Sequence, residues 1–406
     1  MKKDKIKIGL VGFGHRGIDL LSSVIVLFED VEVAAVCDLY EDRRKEAEEI
    51  VFKNRGVCPL STPDYHDILS MEDIDAVVFM TSWMNHIGPV IETMKAGKYV
   101  ACEVGGAYSI DECWQLVHAY EETGVPCMLL ENCCYAREEL MVLNMVRQGL
   151  FGEIVHCQGG YRHELRDEVA SGREKRHYRL ANYMHRNCEN YPTHELGPIA
   201  RVLNINKGNR MLVLNSVASK SAGLHDYLVS KESAEHELSN YQFAQGDVVT
   251  TIIKCAHGET ITLTLDTTLP RPYSRGFHIQ GTKGIYQEDN RSVFLDENEE
   301  HKSCHFDWKK QWNNIEKFYE QYDHPVWKEY AKKGAIGGHG GCDGIVFRKF
   351  FDAVKNETQT PIDVYDMAAW MSITPLSEQS IAMGGMPVAI PDFTNGRWIT
   401  RKADDE

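Results

Sequence analysis

The chain opens on an apolar run that ends in a glycine-rich turn, IKIGLVGFGHRGIDLL, with Gly12-x-Gly14-x-x-Gly17 between a predicted strand and a predicted helix. Few other sequence features constrain a fold so tightly. Gly12 permits the tight turn, Gly14 lets a pyrophosphate approach the backbone, and Gly17 lets the helix lie close to the strand. The start of that helix carries the positive end of its dipole. An isolated glycine triplet is weak, but here strand, turn and helix are in register. Asp38 ends the second apolar run, 21 residues after Gly17. A carboxylate there accepts from both ribose hydroxyls of NAD and repels the 2′-phosphate of NADP, a preference that His15 and Arg16 could soften.

The rest of the first half has the matching rhythm. Strand-like runs at Ile6–Gly12, Val31–Asp38, Asp75–Thr81, Tyr99–Glu103 and Cys127–Asn132 alternate with helix-period segments near 16–28, 41–54, 86–96 and 109–123. Continuous apolar strands separated by amphipathic helices predict a parallel sheet covered on both faces, a doubly wound Rossmann domain over residues 1–150. Such sheets bind ligands at the carboxyl ends of their strands. That puts Trp83, Asn85 and His86 of TSWMNH, Glu103 and Val104 of EVGG, and Asn132 beside the cofactor; each taken singly could equally be a loop-capping residue.

Beyond residue 151 the pattern changes. Glu153–Glu164, Leu212–Ser219, Val248–His257 and Glu259–Thr268 read as longer strands, GFHIQGTKGIYQED as a hairpin, and VSKESAEHELSN as a polar loop. The prediction for 151–406 is an α+β domain with an open, mainly antiparallel sheet. Helices follow from about Asp343, and the loop-like GGMPVAIPDFTNGRW comes after them. An exposed sheet is a plausible homo-oligomer face.

The net charge of −16 repels nucleic acid, and no apolar run is long enough to span a membrane. Twelve scattered cysteines without a CxxC pair suggest free thiols in a reducing cytoplasm and no metal site.

Two polar clusters stand out. CENYPTHELGP puts Tyr191 and His194 on a helix start, with a carboxylate and other polar groups crowded around them. IGGHGGCDG surrounds His339 with glycines, which cost backbone entropy and build no core. A flexible linker needs no histidine; a mobile loop with one ionisable group suits an acid.

The glycine motif, AGKYVACE and the downstream sheet pattern resemble the Gfo/Idh/MocA oxidoreductase family. DECWQLV, LLENCCYAREEL, RNCENYPTHELGP, RPYSRGF and GGHGG resemble, within it, glycoside hydrolase family 109, the NAD-dependent α-N-acetylgalactosaminidases. Dehydrogenases of the wider family carry Glu-Lys-Pro and Asp-x-x-x-His, where this chain has Glu103-Val104-Gly105 and Asn190 with His194. The glycosidases usually show GNLYPTHGLGP, and here Cys188, Glu189 and Glu195 depart from it.

The resemblance implies a small glycoside as substrate, held by Tyr161, Arg179, Tyr191, Pro192, Thr193, His194 and Tyr273, with Tyr191 also near the nicotinamide. It implies a redox route to hydrolysis. Oxidising the C3 hydroxyl acidifies the C2 proton, a base removes it and expels the C1 substituent, water adds, and the hydride returns. Three protons must then be handled around one ring. His194 fits the C3 hydroxyl and Tyr161 the C2 proton, although a strand tyrosine also serves as sheet packing. By resemblance His339 is the acid/base at the leaving oxygen. The alternatives are a sugar 3-dehydrogenase and a non-catalytic NAD-binding protein.

Overall fold

The computed structural model describes residues 3–233, 235–296, 307–334 and 337–403. They form two compact units: Met1–Ala136 with Val326–Ala368, and Arg137–Pro325 with Ala369–Asp405.

The first unit holds β1 (Ile6–Val11), β2 (Val31–Cys37), β3 (Leu60–Thr62), β4 (Ala76–Phe79), β5 (Tyr99–Cys102) and β6 (Cys127–Leu129). They form an all-parallel sheet in the order β3-β2-β1-β4-β5-β6. This is the doubly wound order, with its switch point between β1 and β4. β4 is buried throughout, as the continuous apolar run AVVF requires of a strand covered on both faces. Between the strands run α1 (His15–Ser23), α2 (Glu41–Arg55), α3 (Tyr65–Leu69), α4 (Ile87–Lys95) and α5 (Ile110–Thr123). Local chemistry sets their ends. Ser109 and Glu112 form a capping box at the start of α5, and Gly124 closes it in the left-handed region at φ 69°.

The sequence-predicted division at residue 150 and the division by internal packing differ. The helix Cys342–Asn356 packs on β1 and on the 3₁₀ turn Asn132–Tyr135, within the first unit. Phe347, Phe350 and Phe351 are fully buried there. The physical reason is that the first sheet has apolar surface to cover, and a helix from the tail supplies it.

The second unit holds α6 (Arg137–Arg147), α7 (Arg166–Ala170), α8 (Arg179–His185) and α9 (Pro192–Val202). Its strands are β7 (Ile154–Arg162), β8 (Met211–Ala218), β9 (Val248–Cys255), β10 (Thr260–Asp266), β11 (His278–Gly281), β12 (Gly284–Gln287), β13 (Ser292–Leu295) and β14 (Val388–Ala389). The sheet order is β13-β12-β11-β7-β10-β9-β8-β14. Pairing is antiparallel except between β7 and β10. β14 comes from the stretch that reads as loop; its two residues carry no periodic signal. The polar stretch after Tyr227 starts with a π-helical turn, Leu228–Glu232. α9 packs on β7 and β10 and covers one face of the sheet.

Candidate active site

In the first unit the three motif glycines have separate reasons. Gly12 takes φ +96°, and a Cβ there would lie 2.7 Å from the Met80 carbonyl oxygen at the end of β4. A Cβ on Gly17 would lie 2.1 Å from the Gly12 carbonyl oxygen. At Gly14 a Cβ would meet no protein atom nearer than Arg43 Nη1 at 3.8 Å. That open approach, at an α1 N-terminus without a side-chain cap, suits a pyrophosphate. These residues fit a dinucleotide.

Asp38 is buried at the end of β2. Its Oδ2 accepts from the Phe13 N–H at 2.7 Å and its Oδ1 from the Tyr40 N–H at 2.9 Å. The carboxylate thus ties the glycine turn to β2, and each oxygen keeps a further lone pair for a ribose hydroxyl. His15 is exposed on the first turn of α1. Trp83 is buried, and Gly105 makes room for it: a Cβ at 105 would lie 2.3 Å from Trp83 Cδ1. Asn85 is exposed and donates to Ser82 Oγ. His86 is wholly buried, with Nε2 2.9 Å from the Thr81 carbonyl oxygen; burial pulls its pKa down to about 4, so it is a neutral brace for the loop. Val104 is buried and donates its N–H to Glu103 Oε2.

The first unit also carries a hub that the sequence reading missed. Asp343, fully buried, accepts from Arg16 at 2.8 and 3.0 Å and from Asn132 Nδ2 at 2.6 Å. It also lies 2.9 Å from His339 Nδ1. Burial would raise its pKa, but the hydrogen bonds from His339 and Arg16 outweigh burial and hold the carboxyl well below the usual range. Arg16 Nη2 also reaches Glu103 Oε1 at 3.5 Å. His339 itself sits at φ +52°, amid Gly337, Gly340 and Gly341 at positive φ. A non-glycine residue there costs about 1–2 kcal/mol. With Nδ1–H donated to Asp343, Nε2 is the nitrogen left for chemistry. The spacing of four residues between His339 and Asp343 in HGGCD was the available signal.

The second unit gathers the aromatic set. The Tyr161 and Tyr191 rings lie 4.2 Å apart, and His194 lies 4.8 Å from Tyr191 and 5.8 Å from Tyr161. Tyr161 comes from β7; Tyr191 is the N-cap of α9 and His194 is in its first turn. Pro192 fits the first helical position, where its missing N–H costs nothing. Thr193 is fully buried, and its Oγ1 has no hydrogen-bond partner among the described residues. Arg179 is buried with its guanidinium over Tyr191 at 5.0 Å and Tyr161 at 5.7 Å, and its Nε lies 2.6 Å from Glu168. Burial would lower its pKa, but Tyr161, Tyr178 and Glu168 outweigh that and keep it charged. Tyr161 Oη lies 3.0 Å from His163 Nδ1. Burial, then the Arg179 charge, lowers the His163 pKa and favours a neutral ring able to accept a hydrogen bond from the tyrosine hydroxyl. Tyr273 is half exposed, 5.0 Å from His163 and 6.5 Å from Tyr161. Glu168 carried no sequence signal, because its partner Arg179 lies across a loop. Asn190, where an aspartate would stand in a dehydrogenase, donates to Gln245 Oε1 at 3.4 Å.

Residues 135–400 match the family described as glycosyl hydrolase 109, C-terminal domain, and residues 6–130 match the oxidoreductase family with an NAD-binding Rossmann fold. A glycosyl hydrolase family 109 protein of Stenotrophomonas maltophilia (strain K279a) is 39% identical, covering 98% of this chain and 91% of its own. An alpha-N-acetylgalactosaminidase of Tannerella forsythia is 38% identical, covering 98% and 88%. Among solved structures, an NAD-binding oxidoreductase from Klebsiella pneumoniae superposes with a TM-score of 0.71 at 14% identity, covering 96% of this chain and 99% of that one. A levoglucosan dehydrogenase in complex with NADH and levoglucosan gives 0.68 at 18%, covering 95% and 100%. At those identities the likeness is one of fold.

Proposed function

The chain belongs to glycoside hydrolase family 109, and from that premise we propose that it is an NAD-dependent glycosidase of small glycosides, N-acetylgalactosaminides among them. The carrying observation is the set of proton-handling groups around Tyr161: an aromatic cluster with His194 on one side and a tyrosine–histidine hydrogen bond on the other.

Bound NAD supplies the hydride acceptor at C3 and later the donor, so the cofactor is unchanged over a turnover. His194 takes the proton of the C3 hydroxyl. Tyr161, hydrogen-bonded to His163 and with Arg179 favouring its anion, removes the acidified C2 proton as the phenolate. Tyr191, Thr193 and Tyr273 bind the ring. His339, oriented by Asp343, protonates the leaving oxygen and then activates water. Asp38 takes the ribose, in favour of NAD over NADP. In this reading the protein works in the cytoplasm. No helix among the described residues is long and apolar enough to cross a membrane. The outer face of the second sheet, with Ile252 and Val217 exposed, serves for self-association.

Incubating the protein with NAD and a panel of aryl glycosides tests the proposal. Phenol release without net cofactor reduction supports it. Net reduction with a keto-sugar product makes the protein a sugar 3-dehydrogenase instead.

A further inference from the structure

A carboxylate stands on each side of Tyr191–His194: Glu189 before α9 and Glu195 in its first turn. The chemistry above uses neither. Both side chains are buried, Glu189 completely and Glu195 to within 1%. Glu189 is anchored through its backbone. Its N–H donates to Ser377 Oγ at 2.8 Å, its carbonyl oxygen accepts from Thr374 Oγ1 at 2.7 Å, and its Oε1 accepts from the Tyr191 N–H at 3.3 Å. Glu195 is anchored by close packing. Its carbonyl oxygen lies against β7 at Gly159, where a Cβ would come within 2.4 Å, two residues before Tyr161.

No side chain among the described residues donates to either Glu195 oxygen or to Glu189 Oε2; the backbone N–H groups of Tyr161 and Leu265 act on Glu195 and Glu189 respectively. Leaving buried acceptors unsatisfied is costly. Yet the two carboxyls lie within hydrogen-bond reach of each other. Two carboxylates only repel; a single proton makes one of them a donor. Among the described residues, the charged groups around them are engaged elsewhere. Arg162 of β7 acts on Glu195 but is paired with Asp289 at 3.2 Å. Glu378, beside Ser377, is held by Arg186; Asp266 of β10 by Arg271; Glu139 of α6 by Arg275. His194 lies on α9 itself, one residue before Glu195.

We propose that Glu189 and Glu195 are positioning residues that share one proton, and that their carboxyl–carboxylate hydrogen bond closes the chain around Tyr191–His194 and holds that tetrad against Tyr161. The proposal rests on the reading that the tetrad holds the sugar, but its first two tests do not.

Burial raises both carboxyls above the ordinary carboxylate range, and the Glu189 charge raises Glu195 further, so the pair keeps its shared proton to a higher pH than either carboxyl would alone. The unfolded chain releases the same protons near pH ~4.3. The folded state therefore binds more protons between those limits. The pair's contribution to stability is full below the unfolded value and is lost as pH rises through the pair's raised folded value.

The first test is the melting temperature of the native protein and of E195Q from about pH 5 to about pH 9. An amide donates without needing the proton, so E195Q should lose about one proton's worth of the alkaline slope. Parallel curves would overturn the shared proton. E189Q offers the donor from the other side and repeats the measurement if E195Q folds poorly. The second test follows the His194 imidazole resonances by NMR. They should show an alkaline step in the native protein that disappears in E195Q; no step in either places the pair away from the tetrad and sinks the positioning role. With an aryl glycoside, the alkaline limb of kcat should move up in E195Q and kcat should fall at every pH in E195A. A moved melting slope with an unmoved kcat limb would leave the pair a purely structural contact. Absence of any turnover would count against the glycosidase reading and leave the first two tests intact.

Discussion

At the end of β2, both oxygens of Asp38 accept backbone N–H groups, from Phe13 and from Tyr40. The residue that would choose the cofactor also holds the turn that would bind it. Asp38→Ala should therefore weaken NAD binding, narrow the preference over NADP and lower the melting temperature of the cofactor-free protein. Removing a buried acceptor from a backbone N–H costs ~1–3 kcal/mol. Titration with each cofactor and a melt without either check both halves; equal affinity of the native protein for NAD and NADP would refute the selectivity. The His339–Asp343 contact yields a second prediction. A general acid contributes about 10²–10⁴-fold, and most where the leaving group is poor. His339→Ala should lose most activity on an alkyl glycoside and least on a dinitrophenyl one. Asp343→Asn should follow the same pattern to a smaller extent, because the amide no longer fixes which imidazole nitrogen carries the proton. His194→Ala should instead suppress the first hydride transfer for every leaving group. Identical responses across the series would refute this division of roles.

Among the elements, the second sheet shows how alternation makes two faces. Along β9, Val249, Thr251 and Ile253 are buried while Ile252 and Lys254 are exposed. Ile252 is 45% exposed and Val217 of the neighbouring β8 54%. Their exposure motivates self-association through this face. Ile252→Glu should leave the melting temperature nearly unchanged and shift the molecular mass by light scattering toward a monomer. A native protein that is already monomeric at all concentrations would end that proposal. The elements also show what pattern reading finds. α5 announces itself in SIDE, a capping box followed by an apolar period. β3 does not: it has three residues, and Leu60 is exposed, so no stretch of apolar sequence marks it. β14 is invisible for the same reason.

For the molecule as a whole, the defining prediction concerns a hydrogen. An elimination route requires the C2 proton to leave and be replaced from solvent. Cleavage in deuterated water should place deuterium at C2 of the released sugar, read by product mass. Full activity without deuterium at C2 would mean direct displacement by two carboxylates. Under that outcome Tyr161 and His163 would lose their assigned task.

The local rules decided much of this before any contact was known. Gly12, Gly14 and Gly17 sit where strand, turn and helix require them, because each constraint acts within a few residues: a positive φ, an open approach, a close carbonyl. The parallel sheet followed from continuous apolar runs, and the YPTH helix start from proline at its first turn. Tertiary structure alone decided the rest. Asp343 reads as an ordinary helix-start acid, yet burial beside Arg16, Asn132 and His339 makes it a hub. The helix Cys342–Asn356 belongs with the first sheet because that sheet had a face to cover. On paper Glu189 and Glu195 are only departures from the glycosidase motif beside Tyr191 and His194. Folding strips their water without supplying a cation, and in a medium of low dielectric the least costly remedy is a proton held between them.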